Sequence, residues 1–128
     1  MSRTVYDTRF FIEHYYSKDQ EELQKTREEI RKTKERYVPA IVIHEIYQLT
    51  LKTEGRETAI LRTGLLEKDF KIINVDSTIA KSSAELRHKY KTSMADSLIA
   101  ATSLSLNATC LSDDPHLQAI KEIKTRWV

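Results

Sequence analysis

Short apolar segments alternate with longer amphipathic segments along most of the chain. The short segments are β-prone and predict strands at 4–6, 37–40, 70–75 and 109–111, with one more near the end of the chain. Apolar residues at helical spacing predict helices over 17–36, from the apolar run at 38–43 to a cap at Gly55, over 56–68, after Asp76, over 94–107, and briefly near the end. This alternation predicts a three-layer α/β/α fold with a mostly parallel central sheet.

Length and composition predict that residues 1–128 form a single domain. Two Gly, two Pro and 40% hydrophobic residues offer no linker and suffice for one core. The longest apolar run, residues 38–43, is far shorter than the roughly 20 residues needed to cross a bilayer. Arg3, Asp7 and Arg9 would spoil a signal peptide, so a cytoplasmic location is expected. The single cysteine, Cys110, has apolar and small neighbours and is expected in the core.

The segment 17–36 is highly charged and is expected to be a mostly exposed helix. Ser17 and Gln20 fit a capping box at its start. Leu23, Ile30 and Tyr37 recur every seven residues, which predicts a narrow apolar stripe that could meet a partner helix.

Four carboxylates, those of Asp7, Glu45, Asp96 and Asp114, each lie at the edge of an apolar segment. In a parallel sheet, ligands collect beyond the carboxyl ends of the strands, where Asp7 and Asp114 are expected. Carboxylates gathered in one place repel each other unless a cation neutralises them. Oxygen ligands favour magnesium or manganese, so the four acids predict one metal site.

Each acid also has a structural explanation. Asp96 lies three residues after Ser93, as in a capping box, and Asp114 precedes Pro115, as at a helix start. Asp7 could begin a turn or cap a helix, whereas Glu45 lacks a basic partner four residues away. It is the combination of the four that favours metal binding.

Four other side chains leave further alternatives open. Asp76 follows a predicted strand, but capping of the next helix explains it fully. Asp113 could support the site if the turn shifts by one residue. Thr8 and Ser112 could orient a carboxylate or serve only as turn formers.

Four segments together resemble the PIN-domain ribonucleases, and among them the VapC-type toxins of toxin–antitoxin pairs. They are a strand ending in Asp7-Thr8, a helix carrying Glu45, the run Ser93-Met94-Ala95-Asp96-Ser97-Leu98-Ile99-Ala100-Ala101-Thr102, and Leu111-Ser112-Asp113-Asp114-Pro115-His116-Leu117. The sequence departs from that family at three positions. Lys91 stands where a glycine is common, Leu117 replaces an aromatic residue, and Asp113-Asp114 doubles the acid.

The resemblance implies a Mg²⁺- or Mn²⁺-dependent endoribonuclease with Asp7, Glu45, Asp96 and Asp114 as catalytic metal ligands. RNA hydrolysis assisted by the metal would leave 5′-phosphate and 3′-hydroxyl ends. The resemblance also implies a homodimer and a small antitoxin protein as partner. The alternatives are a PIN-fold binding module without activity and an RNA-processing nuclease that is not a toxin.

Two other enzyme classes fit the residues poorly. His44-Glu45 begins the HExxH zinc-protease signature, but Gln48 replaces the second histidine. An aspartyl phosphatase could start at Asp7, yet Arg9 stands where a second aspartate is usual. The four histidines show no other ligand spacing, so packing or surface roles are expected for them.

Two basic clusters could meet phosphates although the net charge is only +2. One is Arg87, Lys89 and Lys91 before Asp96, and we expect it to guide RNA. The second comprises Arg31, Lys32, Lys34 and Arg36. A solvated helix surface is the competing interpretation, and it is stronger for the second cluster.

Overall fold

The computed structural model describes residues 3–128, so residues 1 and 2 of the predicted domain lie outside the described chain. The strands are β1 (Arg3–Tyr6), β2 (Glu35–Pro39), β3 (Lys71–Ile73), β4 (Thr109–Leu111) and β5 (Lys124–Arg126). The helices are α1 (Thr8–Tyr16), α2 (Gln20–Lys32), α3 (Ala40–Glu54), α4 (Arg56–Asp69), α5 (Ser77–Tyr90), α6 (Met94–Leu106) and α7 (Pro115–Gln118).

The five strands form one parallel sheet in the order β3-β2-β1-β4-β5. Helices cover both of its faces, so the predicted three-layer α/β/α fold is confirmed. β1 lies at the centre, with Tyr6 in register with Leu111 of β4. The residues that follow these two strands therefore meet at one edge of the sheet.

The core combines the central strands with an aromatic cluster. Val5, Cys110 and Leu111 are fully buried, which agrees with the expectation for the cysteine. Phe10 and Phe11 of α1 pack edge-on against each other, and Phe11 packs edge-on against Phe70. Helix α1 was not predicted from the sequence; its Phe10 and Phe11 are fully buried in the core.

Helix ends follow the predicted capping in most cases. Asp76 and Ser93 cap α5 and α6 through Ile79 N and Asp96 N, and Gly55 separates α3 from α4 with a φ of 95°. The prediction for Ser17 was wrong. Asp19 caps α2 by accepting a hydrogen bond from Glu21 N, and the Ser17 hydroxyl instead accepts one from Asp19 N.

The seven-residue stripe predicted on the charged helix was also wrong. Helix α2 ends at Lys32, and Tyr37 lies on β2, so Leu23, Ile30 and Tyr37 do not share one helix. The side of α2 that is buried carries Thr26 and Glu29.

Glu29 is a buried charge, with its side chain only 1% exposed. Arg126 of β5 donates to both of its oxygens at 2.8 Å, and the Thr33 hydroxyl donates at 2.5 Å. The Tyr6 hydroxyl also donates to Glu29, at 3.2 Å. Burial alone would raise the pKa of Glu29, but the hydrogen bonds from Arg126 and Thr33 outweigh it and lower that pKa.

Candidate metal centre

Asp7 lies directly after β1, where it is buried at 3% exposure. Its backbone N–H donates to Leu111 O at 3.3 Å, which continues the ladder between the two central strands. Its carboxylate accepts a hydrogen bond of 2.5 Å from the Ser112 hydroxyl. A buried aspartate with a fixed orientation thus stands at the carboxyl edge of the sheet.

The loop after β4 carries the second acid, Asp114. Asp114 caps α7 by accepting from His116 N at 2.8 Å, so the structural function predicted from Asp114-Pro115 exists. Its backbone N–H donates to the Ser112 hydroxyl at 3.0 Å. Ser112 therefore links Asp7 to the loop that holds Asp114.

Asp96 lies in the first turn of α6, where its N–H donates to the Ser93 hydroxyl at 3.1 Å. One ligand atom each from Asp96, Asp114 and His116 lie within 4.8 Å of one another. The structure thus brings two of the four predicted acids together, and it adds a histidine.

Glu45 is half-buried on α3 and accepts a hydrogen bond of 2.5 Å from the Thr8 hydroxyl. Thr8 directly follows Asp7, so this contact ties α3 to the start of α1. The charge of Glu45 is also one of the causes that raise the pKa of Asp96. Both hydroxyls singled out in the sequence, those of Thr8 and Ser112, therefore contact a carboxylate.

Electrostatic repulsion within this group is visible in the pKa values. The pKa of Asp7 is raised to about 6, chiefly by burial and also by the charges of Asp96 and Asp114, against the lowering effect of the Ser112 hydrogen bond. Burial and the charge of Asp114 raise the pKa of Asp96. The neighbouring charges thus make Asp7 and Asp96 harder to ionise, and a hard divalent cation would relieve this repulsion. The donor set fits such an ion.

Asp113 faces a different partner from the other acids. Arg9 of α1 donates to it from Nε at 2.8 Å and from a terminal nitrogen at 3.3 Å. The two adjacent aspartates therefore have different partners: Asp113 binds Arg9, and Asp114 lies near Asp96 and His116.

His116 was not identified from the sequence, where no ligand spacing marked it. Its Nδ1 lies 3.1 Å from Asp114 Oδ1, because both residues belong to the short turn that starts α7. The pair Asp114-Pro115 could have indicated it, because it predicts a helix start, and a helix start brings the side chains of its first residues close together.

The basic clusters separate in the structure. Lys89 pairs with Glu122 at 3.0 Å, whereas Arg87 and Lys91 line a groove together with Met94 and are separated from that ion pair. In the second cluster, Arg36 donates to backbone carbonyls of Ile30, Thr33 and Asp69, which is a structural use.

Comparison with known proteins identifies the family. The PIN domain model matches residues 4–123. No curated protein matches the sequence. VapBC-1 from nontypeable Haemophilus influenzae has a similar structure, with 17% identity, 96% of each chain covered and a TM-score of 0.80.

Two further solved structures are similar over nearly the whole chain. A toxin–antitoxin complex from Klebsiella pneumoniae shares 22% identity, with 94% of each chain covered and a TM-score of 0.74. FitAcB from Neisseria gonorrhoeae shares 20% identity, with 95% of each chain covered and a TM-score of 0.74. At these identities the likeness shows a common fold.

The α/β/α fold with acids at the carboxyl edge of its sheet is that of a PIN domain. The chain belongs to the PIN domain family, and the resemblance found in the sequence is confirmed. Within residues 3–128, no helix is both long and apolar enough to span a bilayer.

Proposed function

We propose that this protein is a metal-dependent endoribonuclease that hydrolyses RNA phosphodiester bonds. The observation that carries the proposal is the buried Asp7, whose pKa is raised to about 6 beside Asp96 and Asp114 at the carboxyl edge of the sheet. An anionic group kept in such a place is unfavourable without a cation. Membership of the PIN domain family supports nuclease activity as the function of such a cation site.

Asp7, Glu45, Asp96 and Asp114 would hold one or two Mg²⁺ or Mn²⁺ ions. When bound, such an ion supplies positive charge to the scissile phosphate and lowers the pKa of water. Ser112 and Thr8 fix the carboxylates of Asp7 and Glu45 through hydrogen bonds of 2.5 Å each. Preorganised ligands of this kind lose little entropy when the cation and the substrate bind.

We further propose that residues 1–128 form one cytoplasmic domain that acts as a homodimer and as the toxin of a toxin–antitoxin pair. The support is the likeness to VapBC-1, to the Klebsiella pneumoniae toxin–antitoxin complex and to FitAcB. A small antitoxin protein could neutralise the acidic site with a basic side chain and so compete with the metal.

The test compares three variants of the full chain with the unchanged protein on a defined RNA. Asp7→Asn and Asp96→Asn should reduce Mn²⁺-dependent cleavage by about 100-fold or more, because each removes a charged ligand. Asp76→Asn is the matched control, since Asp76 only caps α5. Products should carry 5′-phosphates. Cleavage by Asp7→Asn and Asp96→Asn at the rate of the unchanged protein would refute the metal site.

The toxin assignment needs its own test. Expression of the unchanged chain should arrest growth, and Asp96→Asn should not. Co-expression with the product of an adjacent small gene should restore growth and give a stable complex. Normal growth during expression of a chain that cleaves RNA in vitro would favour an RNA-processing nuclease, and absence of any cleavage would favour a PIN-fold binding module.

A further inference from the structure

A groove of about 630 Å³ runs between α5 and α6 and has an apolar floor. Val75, Ala84 and Leu98 line it, together with Met94 at the start of α6. Met94 is 59% exposed and Val75 is 44% exposed, which is unusual for large apolar side chains. The volume suits a small organic group rather than a protein domain.

The Arg and Lys residues that line this groove make its rim cationic. Arg87, His88 and Lys91 line it, and no Asp or Glu is among the residues of its lining. The neighbouring groove differs, because Lys89 there lies beside Glu85 and Glu122. An apolar floor with a cationic rim complements a ligand that combines a flat apolar ring with a phosphate.

The groove and the candidate metal centre share the first turn of α6 but lie on different sides of it, because side chains one and two positions apart on a helix do not face each other. Met94 and Ser97, which line the groove, lie two residues before and one residue after Asp96. Lys91 adopts a left-handed conformation with a φ of 58°, and it begins the short turn that leads to Ser93, the N-cap of α6. A ligand in the groove and an RNA phosphate near Asp96 could therefore belong to one strand.

Resting on the proposed ribonuclease function, we infer that this groove binds one unstacked nucleotide of the RNA substrate, around α6 from the candidate metal centre. The base would lie against Met94 and Val75, and its phosphate would contact Arg87 and Lys91. Arg87 uses only its Nε in a contact with Thr92 O, at 3.3 Å, so its other donors can serve a phosphate. A protein segment as occupant is the competing outcome.

Binding of a short single-stranded RNA can be measured by fluorescence anisotropy at several salt concentrations with Mn²⁺ present. The full chain with Asp7→Asn serves as background, so that the RNA stays intact. Arg87→Gln with Lys91→Gln should weaken binding about tenfold or more and flatten the salt slope by about 0.7, the value for one phosphate contact on a single strand. Lys89→Gln is the matched control, because Lys89 already pairs with Glu122.

A second pair of variants tests the apolar floor. Met94→Ala should weaken RNA binding about threefold or more without changing the salt slope, because it removes apolar contact rather than charge. Leu61→Ala is the matched control, since Leu61 is 69% exposed on α4 and does not line the groove. A methyl resonance of Met94 that shifts on addition of millimolar AMP or UMP would report the same contact directly.

The two proposals fail in different ways. If the unchanged protein neither binds nor cuts RNA, the proposed function is refuted. If it cuts RNA but the Arg87/Lys91 variant binds like the Lys89 control, the nucleotide groove is refuted while the nuclease stands. Loss of binding to an antitoxin alone, with RNA affinity unchanged, would assign the groove to a protein partner and would also overturn the inference.

Discussion

Removal of Arg126 should destabilise the protein far more than loss of an ordinary surface ion pair. Arg126→Ala leaves the carboxylate of Glu29, whose side chain is 1% exposed, without its two hydrogen bonds of 2.8 Å. Breaking a buried pair from one side costs about 3–5 kcal/mol. We expect about 3 kcal/mol, because the Thr33 and Tyr6 hydroxyls and Lys32, at 3.7 Å, still face the charge.

Urea unfolding followed by circular dichroism measures this loss. The matched control is Arg31→Ala, because Arg31 pairs with Glu28 on the same helix at 2.6 Å, with side chains 76% and 44% exposed. That exposed pair should contribute about 0–1 kcal/mol. Replacement of both Glu29 and Arg126 by Gln and Met should recover much of the loss, since no charge then remains buried.

The pH dependence of the unfolding free energy gives an independent check on the contribution of Glu29. In the unchanged protein the folded pKa of Glu29 is lowered, so its contribution to stability is present above the unfolded pKa and is lost as the pH falls through the folded pKa. Without Arg126, burial dominates and protonation of Glu29 becomes favourable in the folded state. The difference in unfolding free energy between the two proteins should therefore narrow as the pH falls. A cost near that of Arg31→Ala at neutral pH would refute this reasoning.

Three further substitutions test the surroundings of the site. Ser112→Ala should lower the cleavage rate about tenfold or more, because Asp7 loses the hydroxyl that orients it; unchanged kinetics would leave Ser112 a turn former. Asp113→Asn should change the free energy of unfolding by less than about 1 kcal/mol, since the ion pair of Asp113 with Arg9 is partly exposed. Because Asp113 pairs with Arg9 and is not expected to be a metal ligand, the Mn²⁺ affinity measured by calorimetry should stay the same. Lys91→Gly should raise the free energy of unfolding by about 1 kcal/mol, because glycine adopts the φ of 58° without strain. The thermal midpoint should rise accordingly, and a lower midpoint would contradict this.

Elements with strong local signals were predicted well from the sequence. Strand β4 has the predicted bounds, and α6 starts at the predicted residue with Ser93 as its cap. Cap residues act through contacts two or three positions away, so the sequence contains all the information that they need. The four acids of the candidate site were proposed for a similar reason, because each one follows or opens an apolar element.

Contacts between distant segments were not predictable in the same way. Glu29 stands in a run of charged residues that looks solvated, and its partner Arg126 is 97 residues away. The same holds for Arg9 and Asp113, 104 residues apart, whose pairing separates Asp113 from the other acids. No local pattern encodes such a pair, because only the order of strands in the sheet brings the two residues together.

The central position of β1 has a consequence for the time at which the candidate metal centre can assemble. The first strand of the chain pairs with β4, and the hydrogen bond between Ser112 and Asp7 spans 105 residues. The loop that carries Ser112 is in turn held by β5, since Ser112 N donates to Arg126 O at 2.9 Å. During synthesis at roughly 5–20 residues per second, Asp7 must therefore wait several seconds or longer for its partners to leave the ribosome. Asp7, Glu45 and Asp96 are synthesised before Ser112 and Asp114, so the candidate metal centre cannot assemble until the last strands of the sheet have been made.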